Sequence, residues 1–234
     1  MGDAIDVYLE IGTKRTFAGA IDWPGWSRSG RTEADALEAL VAYGPRYRAI
    51  LGESNPSFHA PPDVSRLSVV QRLRGGGGTD FGVPGEAPKA DDRPVDDREL
   101  ARFRRLLTRC WSAFDAAAAA AVGVELRKGP RGGGRDLDKI VAHVMEADEA
   151  YLHQLGSKVP KRKGSDTAAE LEELRATILS ALSARARGRS PVEPNKVKKP
   201  WSPRYHVRRA TWHVLDHAWE IEDRASPDAG TAKA

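Results

Sequence analysis

"WHVLDHAWEIEDR", residues 212–224, decides how the second half of this chain is read. His213 and His217 stand four residues apart between Trp212 and Trp219, with Glu220 and Arg224 close behind. On a helix, which advances about 100° per residue, His206, Arg209, His213, His217, Glu220 and Arg224 fall within one narrow arc. Tyr205, Trp212 and Trp219 flank that arc on one side, Ala210, Val214 and Ile221 on the other, and Arg208 and Glu222 point roughly the opposite way. A polar stripe walled by apolar residues is expected to face the interior of a helical assembly, where ionisable groups are costly unless paired or bound to metal. Two imidazoles at i and i+4 can share one metal ion.

This helix starts at Ser202 as N-cap with Pro203 in its first turn. Three more helices precede it. One spans about 97–121, with Leu100, Phe103, Leu107, Cys110, Phe114 and Ala117 on one stripe, which makes Cys110 a core residue. The next spans about 136–155, with Leu137, Ile140, Val144, Ala147 and Tyr151 inward, and the third opens on a T-A-A-E capping box at Thr167 and stops at Gly188. Four amphipathic helices of this length predict a four-helix bundle. His143 sits beside the inward stripe of the second helix and is the expected third ligand, with Glu146 one turn on as the alternative, while His153 falls off the stripe. A His143–His213–His217 set leaves coordination positions open for water or substrate, as catalytic metal sites do.

The first part of the chain reads differently. IDVYLEI (5–11) and TFAGAID (16–22) have the alternation and β-formers of strands, and WPGW (23–26) is a turn. A helix follows from Thr32, with Asp35 closing an acidic capping box and Leu37, Leu40 and Val41 at helical spacing; Gly44 and Pro45 interrupt it, and LSVVQRL (67–73) is a further strand for the same sheet. Residues 74–96, rich in Gly, Pro and Asp, read as a loop or linker. The expected class is therefore α+β: a β-β-β-α(-β) domain over 1–85, a linker over 86–96, a helical domain over 97–225 and a disordered tail over 226–234.

No apolar run is long enough to cross a bilayer. MGDAIDVYLEIG lacks the basic and apolar regions of a secretory signal, and Cys110 is the only cysteine, so no intrachain disulfide forms. Together these predict a cytoplasmic protein. The net charge is +4, with basic clusters at KVPKRKG (158–164) and NKVKKP (195–200). Neither is interleaved with stacking aromatics, which argues against nucleic acid and for solvated loops. RGGGGTDFG (74–82) lacks the GK[ST] of a phosphate loop, while GPRGGGRDLDKI (129–140) precedes a helix whose N-terminus could hold an anion.

Two resemblances add to this reading. His143 in IVAHVMEADEAYL and His213 and His217 in WHVLDHAWEIEDR have the order and spacing of the DinB-like family, and the likeness covers roughly residues 95–225. FAGAIDWPGWSRSGRTEADALEAL (17–40) is similar to HicB-like antitoxin domains, in their strand, D-x-P-G turn and T-x-x-E/D-A-L helix, over about residues 5–51. The first resemblance implies a metal-binding helical bundle, in enzymes a divalent-metal-dependent transferase or isomerase using a low-molecular-weight thiol such as mycothiol or bacillithiol. Zinc is the expected ion, with nickel or iron as alternatives. On that reading Glu220 orients a ligand histidine or relays a proton, and Arg209 or Arg224 anchors a substrate carboxylate. The partners would be a small thiol and an electrophile, and a homodimer is allowed. The second resemblance implies an alternative: a binding module in which the N-terminal domain contacts a protein or RNA and the metal site is structural.

Overall fold

A computed structural model describes residues 4–52, 57–128, 134–161, 164, 167–189, 197 and 199–225; the tail expected at 226–234 lies outside them. The fold is α+β, with a four-stranded sheet first and helices after it. Strands β1 (Ile5–Ile11), β2 (Thr16–Ala20), β3 (Ser27–Gly30) and β4 (Leu67–Arg74) lie in the order β3-β2-β1-β4. The β1–β2 and β2–β3 pairs are antiparallel, and β4 runs parallel to β1 with a register shift between Val7 and Tyr8. Helices α1 (Glu33–Ala42) and α2 (Gly44–Leu51) lie between β3 and β4 in the chain, broken at Tyr43, and Thr32 and Asp35 form the expected capping box.

Two compact units result. One comprises Met1–Arg93 together with Val207–Trp212; the other comprises Pro94–His206 and His213–Ala234. In the first unit an aromatic cluster forms the core beside the WPGW turn. Trp26 stacks on Tyr47 at 6.0 Å, and the Phe58 edge meets both rings. Trp26 Nε1 donates to the Leu40 carbonyl and the Tyr47 hydroxyl to the Pro24 carbonyl, so both polar ends are satisfied inside the core. Gly25 holds φ 91°, a backbone state that suits glycine.

β1 is buried on both faces, unlike the half-exposed strand its alternation predicts. Val7 and Leu9 face one way; Tyr8 and Glu10 face the other, opposite Gly19 and Phe17 on β2. A Cβ on Gly19 would meet the Tyr8 ring at 2.6 Å, so only glycine lets that ring lie across β2. The second face is covered by polar chain. Glu10, fully buried, accepts hydrogen bonds from Thr79 Oγ1 and from the amides of Gly85 and Glu86. Arg208 lies over Tyr8, and Trp212 meets Phe17 edge-on at 6.0 Å. The stretch 74–96, loop-like in sequence, thus carries a short helix α3 (Gly77–Phe81) and a 3-10 turn (Lys89–Asp92), tied to the sheet by the buried carboxylates of Glu10 and Asp91.

The second unit is built on α4 (Asp97–Ala120), α5 (Leu137–Gln154), α6 (Thr167–Ala186) and parts of α7 (Pro203–Ala225). Asp96 and Asp136 cap α4 and α5, and Ser202 Oγ accepts from the Tyr205 amide to cap α7. Thr167 begins α6, and Glu170 in its first turn accepts from the Gly164 amide. The α4 stripe is buried as its periodicity predicts, Cys110 included. Trp111 Nε1 on α4 donates to Asp148 on α5, Arg175 on α6 pairs with Asp115 on α4, and Arg204 on α7 pairs with Glu99 on α4. No helix among the described residues is long and apolar enough to cross a membrane.

α7 is buried almost all round from Arg204 to Trp219, the mark of a helix inside a core. The wheel correctly sets Arg208 opposite the histidine arc, but that face is buried too. Arg208 forms a two-bond ion pair with Asp91 and donates to the carbonyls of Ala20 and Ile21.

Candidate metal centre

Three histidines of the second unit converge. α5 supplies His143, and α7 supplies His213 and His217 from successive turns. One ring nitrogen from each lies within 4.8 Å of the other two. The ring centroids are 5.1 Å apart for His143 and His213, 5.0 Å for His143 and His217, and 4.6 Å for His213 and His217. His143 Nε2 and His213 Nε2 are 3.2 Å apart. Nitrogens bound tetrahedrally to Zn²⁺ at about 2.0–2.1 Å stand roughly 3.4 Å from each other, so the spacing fits a shared ion. The donor set, three imidazoles, suits zinc, nickel or iron.

The third ring is fixed from behind. His217 Nδ1 donates to Glu220 Oε2 at 2.8 Å, which leaves Nε2 with its lone pair available. Glu220 Oε1 accepts from Arg224 at 2.7 Å. Burial pushes the Glu220 carboxyl up, but the hydrogen bonds and charges of His217 and Arg224 outweigh it and hold the group below the usual carboxylate range. The His143 pKa is lowered, first by burial, then by the positive charge of Arg135 and by His217, against the pull of Glu146 and Glu220. Neutral imidazoles are the ligating form. His213 and His217 are buried, and His143 is half-buried.

Other residues singled out in the sequence have different surroundings. Arg224 is committed to Glu220 and to the Arg127 carbonyl. Arg209 belongs to the first unit, its guanidinium 4.9 Å above the Trp212 ring. Glu146 is exposed, and His59 and His153 stand apart from the cluster. Cys110 is buried in α4, and burial alone pushes its thiol well above the ordinary range. Asp136, which caps α5 with its own carboxylate, occupies the helix N-terminus that the sequence offered to an anion. The aromatic ring beside the histidines is Tyr151, 5.7 Å from His213, with Trp201 5.2 Å beyond it. Its place two turns after His143 is a readable signal; Trp201, just outside α7, carries none.

His206 continues the stripe but does not join the cluster. It is fully buried, and neither ring nitrogen completes a hydrogen bond. Burial pushes its pKa down to about 4; the Tyr151 backbone, near but short of bonding geometry, pulls weakly the other way. Compared with protein-family models, curated proteins and solved structures, the chain matches none.

Proposed function

We propose that this protein binds a divalent metal, Zn²⁺ first, at His143, His213 and His217, and uses it with a low-molecular-weight thiol of the mycothiol type to transfer or hydrolyse a small electrophile. One observation carries the reading: three imidazoles from two helices share a point, and a carboxylate locks the tautomer of one of them. A divalent ion held there would supply Lewis acidity, which lowers the pKa of a thiol or water. His143 and His213 present Nε2, and His217 presents the same atom because its Nδ1 proton is held by Glu220. The half-buried side of His143 is the approach for a ligand. Tyr151 and Trp201 wall the site and limit water, which strengthens charge interactions within it.

A second reading has its own support. His213 and His217 are only 7% and 9% exposed, as expected of a structural ion that ties α5 to α7. The experiment is direct. Metal-loaded protein is incubated with mycothiol or bacillithiol and monochlorobimane. Thiol consumption above background in the wild type, lost in His213→Ala, supports the enzyme. No thiol binding or turnover in a wild type that carries metal leaves the structural ion.

A further inference from the structure

The carboxylate behind His217 is itself held in place. Arg224 bonds to Glu220 through one guanidinium nitrogen and through Nε donates to the Arg127 carbonyl at 2.6 Å. The Arg127 amide returns a bond to the Arg224 carbonyl at 3.0 Å, and the Arg127 guanidinium reaches the Asp223 carbonyl. The last carbonyls of a helix have no partner within it, so the segment after α4 supplies the donors that the end of α7 lacks. Gly134 completes the enclosure: a Cβ there would stand 2.6 Å from the Arg224 guanidinium.

This segment lies at the surface. Val122, Gly123, Val124, Glu125, Arg127 and Lys128 are all exposed, and exposed segments with few buried contacts open at low free-energy cost. Opening would break the Arg127–Arg224 pair and free the guanidinium that steadies Glu220. Without that carboxylate the His217 ring would no longer have one enforced tautomer.

We infer that Arg224, latched by the Arg127 segment, is a positioning residue that acts through Glu220 on His217, so that docking of residues 124–128 on the end of α7 is coupled to metal binding at the histidines. The inference rests on the proposed metal site. Its thermodynamics are reciprocal: the factor by which the closed latch raises metal affinity is the factor by which metal favours the closed latch. Loss of an outer partner of a ligand histidine weakens metal binding by about 10–100-fold, and that is the effect expected here. Arg224 is thereby a positioning residue and not the anchor of a substrate.

The test uses the full chain and two readouts. In the first, Zn²⁺ affinity is measured by competition with a chromophoric chelator, and hydrogen exchange of residues 124–128 is followed with and without Zn²⁺. Arg224→Met, which keeps an apolar stem, should weaken Zn²⁺ by about 10-fold or more. Zn²⁺ should slow exchange of the segment in the wild type and not in Arg224→Met. Arg72→Ala, which breaks an exposed ion pair with Glu33, should match the wild type. In the second, ¹⁵N shifts of His217 are read in metal-free protein at about pH 8, where imidazole is neutral. The wild type should hold the proton on Nδ1; Arg224→Met and Glu220→Leu should lose that preference, and Glu220→Gln, which keeps an acceptor, should retain it. Unchanged Zn²⁺ affinity and an unchanged tautomer in Arg224→Met overturn the inference. A wild type that binds no Zn²⁺ overturns the metal reading and the coupling with it, while the metal-free tautomer still decides whether Arg224 positions His217.

Discussion

Arg208 and Asp91, 117 residues apart, meet in a buried two-bond ion pair with both contacts at 2.7 Å. The same guanidinium holds the carbonyls of Ala20 and Ile21 at the end of β2. Removing one partner of such a pair leaves an uncompensated buried charge and costs about 3–5 kcal/mol. Asp91→Ala and Arg208→Ala should each lower unfolding free energy by that order in denaturant titration, Arg208→Ala more, because it also orphans two carbonyls. A loss under about 1 kcal/mol would show that water replaces the partner.

Zinc should stabilise the wild type measurably. A ligand that binds only the folded state adds about 2.7 kcal/mol at a free concentration 100 times its Kd. The unfolding midpoint should rise with added Zn²⁺ and fall with chelator in the wild type, and do neither in His143→Ala or His217→Ala. His59→Ala, whose ring lies outside the cluster, should respond like the wild type. A Zn²⁺ shift that persists in His217→Ala would place the binding elsewhere.

Asp148 should give the protein an unusual pH dependence. It is fully buried; Trp111 donates to Oδ2, and Oδ1 has no partner. Burial raises its pKa from 3.8 to about 7, against the pull of Arg175 and the Trp111 bond. Between those limits the folded state binds the extra proton, so this group's contribution is fully present below the unfolded pKa and is lost as pH rises through about 7. The slope is at most about 1.4 kcal/mol per pH unit. Asp148→Asn should remove it: its stability relative to the wild type should rise from pH 5 to pH 7 (~1 kcal/mol or more). A constant difference across that range would mean Asp148 ionises normally.

Cys110 should be inert in the native state. Its thiol is buried on α4, and burial opposes the reactive thiolate. Labelling by a thiol reagent should be negligible in buffer and go to completion in denaturant, at a rate limited by unfolding. Rapid native labelling would require that α4 open locally.

Much of the chain was legible because local rules and tertiary contacts agree. The α4 stripe, the Thr32–Asp35 box, the Ser202 cap and the turn at Gly25 follow from periodicity and backbone preference, which need only near neighbours. The meeting of His213 and His217 follows from helical spacing, and His143 could be named because α5 has one inward face. Where the reading stopped, the deciding contact was distant in sequence. Residues 74–96 look like a linker because Gly and Pro describe the backbone, whereas Glu10 and Asp91 hold them through bonds to residues far along the chain.

The α+β class, the caps of α1, α4 and α7, and the line of titratable groups along α7 could be read from the chain alone, since each depends on repeat and spacing within one segment. Which faces of α7 are buried was settled by the folded chain, because a wheel orders residues by angle and says nothing of what covers each angle. Folding sent Arg208 and Trp212 to the sheet and Arg224 to Glu220 and the Arg127 carbonyl. Those assignments depend on where a guanidinium finds acceptors in three dimensions, and a buried cation is stable only where the fold supplies them.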